Sequence, residues 1–596
     1  MQEIWTVFNK AADFKALAQR VQIDPVLVRI LRNRDLTTYE EMAQYLGKTD
    51  FCGYDGMLLK GMLKAVPLLC EKLKAGRHIR IISDYDVDGI VSNYILYQGF
   101  TRLRGKLSLE GSNIDYVIPH RMKDGYGLNV RLIEEAVEQG VDTIVTCDNG
   151  IAAIEEIAYA KKQGLTVVVT DHHEVQEQLP EADVIIDPKQ KDCGYPFSEI
   201  CGAVVAYKLI EQLYRHCGIE EEELAPFYPY LAMATVCDVM ELREENRYIV
   251  RRGLSYMKQA LLDGKLEPGL TALVEANNLE PEKLTAYSFG FVLGPCLNAM
   301  GRLSTAVWGL KLLLEPSRNK AAWRAGRLTQ MNAIRKEMTK QNQKAACELA
   351  EQQPYSKNRV LVMYLRDCHE SIAGIVAGRV REHTGKPVLI LTNSRQEGML
   401  KGSGRSIPEY DMFAALSVHK ELFVKFGGHK MAAGLSVAEE NLELLRQCLN
   451  RDCTLSDRDI ARKRHIDMRM PVSYITEALV SELSLMEPTG NGNERPLFAV
   501  KGMVLNRLRI VGQHKNVLKM KFTDAQGNNI DGVFFGEQPL TLFKEFPKER
   551  YACVEAAIER NIPVNIGMSL LYQPSINEYN GVKSIELKIL AVKYEE

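Results

Sequence analysis

Between residues 78 and 187 the chain alternates short β-branched runs with longer amphipathic stretches. The runs are His78–Ser83, Ile114–Ile118, Asp142–Cys147, Leu165–Thr170 and Asp183–Asp187. This spacing predicts repeated βαβ units around a parallel sheet. Each run leads into polar residues: Asp84-Tyr85-Asp86-Val87-Asp88-Gly89, Pro119-His120-Arg121, Asp148-Asn149-Gly150, Asp171-His172-His173-Glu174 and Asp187-Pro188. In an open parallel sheet the carboxyl ends of all strands lie along one edge, so residues distant in sequence meet there. Asp84, Asp86, Asp88, Asp148, Asp171, His172 and His173 would then share a small volume, and so many carboxylates stay ionised together only beside cations.

Mixed Asp/His donors favour Mn²⁺, with Mg²⁺ and Zn²⁺ compatible, and the lack of any Cys-x-x-Cys pair argues against a structural zinc site. Two ions about 3.5–4 Å apart would stabilise the attacking and leaving oxygens of phosphoryl hydrolysis. Taken singly, Asp148-Asn149-Gly150 reads as a turn and any one strand-end Asp as a helix cap. Three such motifs at βα junctions, one with adjacent histidines, point to chemistry. A calcium loop is rejected, because the twelfth position after Asp84-x-Asp86-x-Asp88-Gly89 is Ile95 and not a bidentate Glu.

Composition sets the frame. A chain of 596 residues suggests about four domains. With 46% hydrophobic and 26% charged residues it reads as globular, which excludes disorder, collagen and coiled coil. Lys+Arg 75 against Asp+Glu 77 leaves a net charge of −2, so a nucleic-acid partner needs a local basic groove. Thirteen scattered cysteines, an opening Met1-Gln2-Glu3-Ile4-Trp5 without a signal-peptide pattern, and the absence of a membrane-length apolar run make the cytoplasm the expected compartment, with no membrane partner.

Beyond residue 196 the pattern turns helical, and Arg318–Glu351 reads as one long connecting helix. A second α/β region begins at Arg359–Leu365, continues through a helix at Ser371–His383 and resumes at Lys386–Leu391. Two glycine-rich strings, Lys401-Gly402-Ser403-Gly404-Arg405-Ser406 and Phe426-Gly427-Gly428-His429-Lys430-Met431-Ala432-Ala433-Gly434, are expected as loops that offer backbone N–H groups to a phosphate, with Arg405, His429 and Lys430 adding charge. After residue 455 the strands Phe498–Leu508, Val517–Phe522, Ile530–Phe535, Ala552–Ile558 and Ile585–Lys593 suggest a small β-barrel. Lys501, Arg507, Arg509, Lys515, Lys519 and Lys521, with His514, give it a basic face. Phe522, Phe534 and Phe535 are candidates for base stacking.

The segments Ser83–Gly89, Thr146–Gly150 and Thr170–His173 together resemble the DHH phosphoesterase superfamily, and most closely its RecJ branch. Pro119–Leu128, Cys201-Gly202-Ala203 and Thr235-Val236-Cys237-Asp238-Val239 support that branch, and the glycine strings resemble a DHHA1 domain. The resemblance implies an α/β parallel-sheet DHH domain, a helical connector, an α/β DHHA1 domain and a C-terminal OB-like barrel. The expected boundaries are an N-terminal helical segment at 1–50, then 51–195, 196–352, 353–454 and 455–596. It implies two divalent ions held by Asp86, Asp88, Asp148, His172 and Asp238, with Asp148 shared and Asp84 a further candidate ligand. Asp148, His172 and His173 would form the catalytic group, His173 beside the phosphate and Asp171 orienting its neighbours.

Substrate would be held by Arg121, Asn298, Arg302, His369, Ser403, Arg405, Gly427, Gly428, His429 and Lys430. The barrel would bind nucleic acid through Lys501, Arg507, Arg509, Lys515 and Lys519. Cys296, Glu370 and Thr489 depart from residues common in the branch; at Cys296 an arginine is replaced, so Arg121 or Arg302 would supply the charge. The implied activity is 5′-to-3′ exonucleolytic release of mononucleotides from single-stranded DNA in repair and recombination. Candidate protein partners are a single-strand-binding protein and a helicase. Two alternatives are a phosphodiesterase for short oligonucleotides or cyclic dinucleotides and a noncatalytic single-strand-binding scaffold.

Overall fold

Five buried strands organise the catalytic half of the computed structural model, which describes residues 3–109, 111–579 and 581–595. They are β1 (Ile79–Ser83), β2 (Ile114–Val117), β3 (Thr143–Cys147), β4 (Thr166–Thr170) and β5 (Val184–Ile186). All pair in parallel, in the order β2-β1-β3-β4-β5. The apolar runs are continuous because helices cover both faces, and every residue of β1 and β3 is buried. The strand order reverses between β1 and β3, which opens a crevice beyond their carboxyl ends.

Helix α1 (Val87–Lys106) follows β1 and packs against α2 (Gly202–His216). Next come α3 (Tyr228–Cys237), α4 (Gly294–Leu303) and the long α5 (Arg318–Glu351). The core here centres on large buried side chains such as Tyr94, Phe100, Tyr230 and Phe289. A mixed sheet follows, built from β6 (Leu361–Tyr364), β7 (Val388–Asn393), β8 (Met399–Arg405), β9 (Phe423–His429) and β10 (Ala432–Ala438), in the order β9-β10-β8-β7-β6. Helix α6 (Ala373–Thr384) lies between β6 and β7 in sequence. The two glycine strings expected as loops are therefore largely strands. Gly402 and Gly404 sit in β8, Gly427 and Gly428 in β9, and β9 turns directly into β10.

The chain divides into two compact units, 53–462 with the sheets above, and a second made of 3–52 and 463–596. In the second unit β11 (Phe498–Val511), β12 (Val517–Thr523), β13 (Asn529–Phe535), β14 (Ile566–Tyr579) and β15 (Val582–Tyr594) close as β11-β12-β13-β15-β14-β11. This five-stranded barrel removes both sheet edges. Its core includes Phe498, Phe522 and Tyr572 together with Leu27, Ile30 and Leu31 of the N-terminal helices. Two expectations are corrected. Ala552–Ile558 is helical, inside α7 (Lys548–Arg560), because Tyr551, Val554 and Ile558 recur at helical spacing and meet the barrel core. Phe522 is fully buried and unable to stack on bases, whereas Phe535 is 61% exposed.

Candidate metal centre and phosphate cavity

The strand ends deliver their carboxylates as the sequence pattern requires. Asp86 caps α1, its Oδ1 accepting from the N–H groups of Asp88 (2.9 Å) and Gly89 (3.2 Å). Asp88 lies in the first turn of α1, and its two oxygens accept from Gly202 N (2.6 Å) and Ala203 N (2.8 Å) at the start of α2. Two helix N-termini thus aim positive dipole ends at adjacent acids. Gly202 is required by close approach, since a Cβ there would lie 2.8 Å from the Asp148 Cβ. Asp148 adopts φ +58, a left-handed conformation costly for a non-glycine residue. Its neighbour Asn149 braces the turn, donating to Ile82 O (3.0 Å) and Cys147 O (2.9 Å) and accepting from Leu128 N (3.2 Å).

Asp171 is buried and points inward. One oxygen accepts from the His172 N–H (2.8 Å), the His173 N–H (3.3 Å) and His173 Nδ1 (2.7 Å); the other accepts from Ile151 N (2.9 Å). It positions both histidines. His172 Nε2 then lies 3.2 Å from Asp148 Oδ1, 3.6 Å from Asp88 Oδ2 and 3.7 Å from Asp238 Oδ2. Three sets of donors have ligand atoms within 4.8 Å of one another: Asp84/Asp86/Asp148, Asp88/His172/Asp238 and Asp148/His172/His173. Two of these sets share no residue, and Asp148 contacts the histidine of the other. Asp238 ends α3 as its C-cap, and only folding brings it to the strand edge.

Electrostatics mark the cluster as built for cations. Burial, followed by repulsion from Asp88, Asp86 and Asp84, pushes the Asp148 carboxyl well above the usual carboxylate range. Burial and Asp86 do the same to Asp84. Asp238 is raised to about 8 by burial and by Asp88 and Asp86. Burial lowers His172, favouring the neutral imidazole that ligates metal. For His173 burial is the largest influence and opposes the charge, but the hydrogen bond to Asp171 together with the negative charges of Asp171, Asp238 and Asp88 outweighs it and raises the pKa to about 9. Asp84 Oδ1 and His172 Nδ1 are buried and have no hydrogen-bond partner among the described residues. Hard carboxylate oxygens with one imidazole, mutually repelling and partly unpaired, fit a pair of divalent ions.

Beside the cluster opens a cavity of about 510 Å³ lined by Tyr85, Arg121, Tyr126, Arg302, Ser403, Arg405 and Gly427, among others. Arg121 lies 4.8 Å over the Tyr85 ring. Arg302 donates to Ser371 O (2.8 Å), and Arg405 to Ser403 Oγ (3.2 Å) and Gly404 O (2.7 Å). Gly374 admits this arginine, because a Cβ there would lie 2.8 Å from Ser403 Oγ and 2.9 Å from Arg405 Nη2. Tyr126, which sequence reasoning did not single out, donates from its hydroxyl to Asp148 O (3.1 Å) and lies 3.3 Å from His173 Nε2. It stands in the Pro119–Leu128 segment, so the signal was present.

Other expected substrate residues lie elsewhere. Asn298 lines a different cavity, which Arg302 shares. His369 caps the turn before α6, with Nδ1 2.7 Å from Ser371 Oγ. His429 Nδ1 accepts from Met431 N (3.3 Å) within the β9–β10 turn, and Gly428, His429 and Lys430 are exposed and outside the cavity lining. Cys296 is buried against Asn332 Nδ2 (3.3 Å). In the barrel, Arg507 pairs across strands with Lys521 and Arg509 with Lys519, all exposed; Lys501 and Lys515 are exposed as well.

Parallel sheet, acid-histidine edge and arginine cavity define a DHH-type phosphoesterase. The DHH family, N-terminal domain, matches residues 78–235, the DHHA1 domain residues 357–454 and the RecJ OB domain residues 466–591. The chain is 32% identical over 584 residues to the single-stranded-DNA-specific exonuclease RecJ of Dickeya dadantii (strain 3937), covering 95% of each chain. It is 31% identical over 590 residues to that of Escherichia coli (strain K12), covering 95% of this chain and 96% of the relative. The crystal structure of RecJ in complex with Mn²⁺ from Thermus thermophilus superposes with a TM-score of 0.79 at 23% identity, covering 100% of this chain and 80% of that one. The chain belongs to the RecJ family.

Proposed function

We propose that this chain is a metal-dependent exonuclease that hydrolyses single-stranded DNA from the 5′ end to mononucleotides. The observation that carries this reading is the pair of donor sets meeting at Asp148 beside an arginine-lined cavity. Asp84, Asp86 and Asp148 would hold one ion, and Asp88, His172 and Asp238 the other, with Asp148 between them. The chemistry supplied there by Mn²⁺ or Mg²⁺ is Lewis-acid charge on the scissile phosphate and acidification of the attacking water. Arg121, Arg302 and Arg405 hold phosphate oxygens by charge-assisted hydrogen bonds. His173, half exposed beside Tyr126 and with its Nδ1 bonded to Asp171, would present its Nε2–H to a phosphate oxygen. Asp171 fixes that ring.

The RecJ names of the relatives support single-stranded DNA as substrate. The exposed cations of the barrel support a longer binding path than a dinucleotide needs. Polarity and mononucleotide products rest on the family resemblance, as do cytoplasmic action in repair and recombination and partnership with a single-strand-binding protein and a helicase. No helix among the described residues is long and apolar enough to cross a membrane. We assign catalysis to 51–195 with 196–352, substrate binding to 353–454 and strand binding to 455–596.

The test uses a long single strand labelled at either end, with Mn²⁺ and an Asp148→Ala control. Early release of the 5′ label as a mononucleotide, lost in the variant, supports the reading. Cleavage confined to a dinucleotide substrate moves the assignment to a small phosphodiesterase, and binding without cleavage to a scaffold.

A further inference from the structure

Arg302 also lines a second cavity of about 410 Å³, whose walls come from α4, the π-helical turn Ser288–Leu293 before it, α5 and α6. Five cations line it, Arg302, Arg335, Lys336, Lys340 and Arg379, and no carboxylate. Three of them occupy one face of α5. Arg335 is held in place from behind, its Nε (3.1 Å) and Nη2 (2.9 Å) donating to the Oδ1 of the buried Asn332. Its other three N–H groups meet no acceptor among the described residues. Arg379 also pairs with Glu382 of its own helix (3.6 Å), but the crowding of Arg302, Arg335 and Lys336 still costs free energy unless an anion occupies the space. Arg302 registers it, its pKa lowered to about 10 by burial and then by Arg121 and Arg335.

The lining includes an aromatic ring of unusual exposure. Phe291 is 60% exposed and stacks on Tyr287, itself 62% exposed, with ring centroids 4.7 Å apart and planes 15° from parallel. A stacked pair open to solvent beside fixed arginines offers what a single-stranded nucleotide needs: a flat apolar face for the base and donors for the phosphate. An acidic peptide would use the cations and leave the rings uncovered.

We infer that this cavity is a second nucleotide subsite, with a phosphodiester group at Arg335, Lys336 and Arg379 and the adjoining base on Phe291 and Tyr287. The inference rests on the exonuclease reading and deepens it. Arg302, shared by both cavities, joins the subsite to the reacting phosphate, so the enzyme grips several nucleotides of one strand.

The test compares kcat/KM on a single strand of about a dozen nucleotides with that on a 5′-phosphorylated dinucleotide, for the wild type and for Arg335→Gln, Arg379→Gln and Phe291→Ala. Each variant is expected to lose about tenfold more on the long strand than on the dinucleotide, through KM. The salt dependence of strand binding should flatten by about 0.7 in log–log slope for each arginine removed. An abasic strand should be insensitive to Phe291→Ala. Equal losses on both substrates, or none on the long strand, would overturn the inference, and the exposed Arg379 keeps the test valid if Arg335→Gln misfolds. If the wild type cleaves neither substrate, the exonuclease reading fails separately. Fluorescence anisotropy of the labelled strand then decides: tenfold weaker binding in the variants supports the subsite and unchanged binding refutes it.

Discussion

Gly202→Ala adds one methyl group at the point where α2 meets the acid cluster. The new Cβ would lie 2.8 Å from the Asp148 Cβ, 3.0 Å from its Cα and 3.1 Å from its Oδ1. Ordinary contact needs about 3.5–4.0 Å, so backbone or carboxylate must move by roughly 1 Å. Overpacking of this kind costs about 1–3 kcal/mol. The functional cost is larger. Gly202 N also donates to Asp88 Oδ2 (2.6 Å), so the movement disturbs one acid from each donor set. A 1 Å misplacement of catalytic groups costs about a hundredfold in rate. We therefore expect kcat to fall about a hundredfold and metal affinity to weaken, while the melting temperature drops by only a few degrees. The control is Gly105→Ala in α1, where a Cβ meets nothing within 4 Å; it should keep full activity and gain up to about 1 kcal/mol of helix propensity. Thermal melts, a Mn²⁺ titration and strand cleavage on the three proteins provide the readout. Wild-type metal affinity and rate in Gly202→Ala would refute the claim that this contact sets the geometry of Asp148.

Asp171→Asn keeps the shape but places an amide against four N–H donors, and should cost about 10–100-fold in metal affinity or activity. Asp84, Asp148 and Asp238 have folded pKa values raised above their unfolded values, so their contribution to metal-free stability is present at low pH and lost as pH rises toward about 8, the value for Asp238. Divalent ions relieve that loss, so the metal-induced rise in melting temperature should be larger at pH 8 than at pH 6; an equal rise at both would contradict the assignment. In the barrel, Arg509→Ala with Lys519→Ala should weaken strand binding and reduce its log–log salt slope by about 0.7 for each phosphate that is no longer neutralised. Phe522→Ala should cost about 3–5 kcal/mol of barrel stability, whereas exposed Phe535→Ala should cost little.

The site was legible where chemistry and periodicity coincide. Continuous β-branched runs such as Ile79–Ser83 and Thr143–Cys147 read as strands because both faces are buried, and the acids after them had one edge to share. Asp238 was visible only through the family resemblance: it follows an apolar helix, and its closeness to His172 is tertiary. Arg335 was not singled out, because it is one of several cations along the long helix Arg318–Glu351 and nothing in its spacing marks it. The glycine strings misled because glycine in β8 serves packing, with Gly404 leaving room for Met412, and not loop formation. Strand β14 went unread because Gln573, Pro574 and Asn577 interrupt its apolar pattern, although it pairs with β15 along its length and closes the barrel. Ala552–Ile558 is rich in alanine with spaced apolar residues, a pattern that helix and strand share over so short a window.

The central claim is that Asp84, Asp86, Asp88, Asp148, His172 and Asp238 together hold two divalent ions. Anomalous diffraction from crystals soaked in Mn²⁺ tests it most directly. The account predicts two peaks within this cluster, one on either side of Asp148, and loss of both in Asp148→Ala. A full data set with no peak among these residues, or with manganese bound only elsewhere, would contradict it.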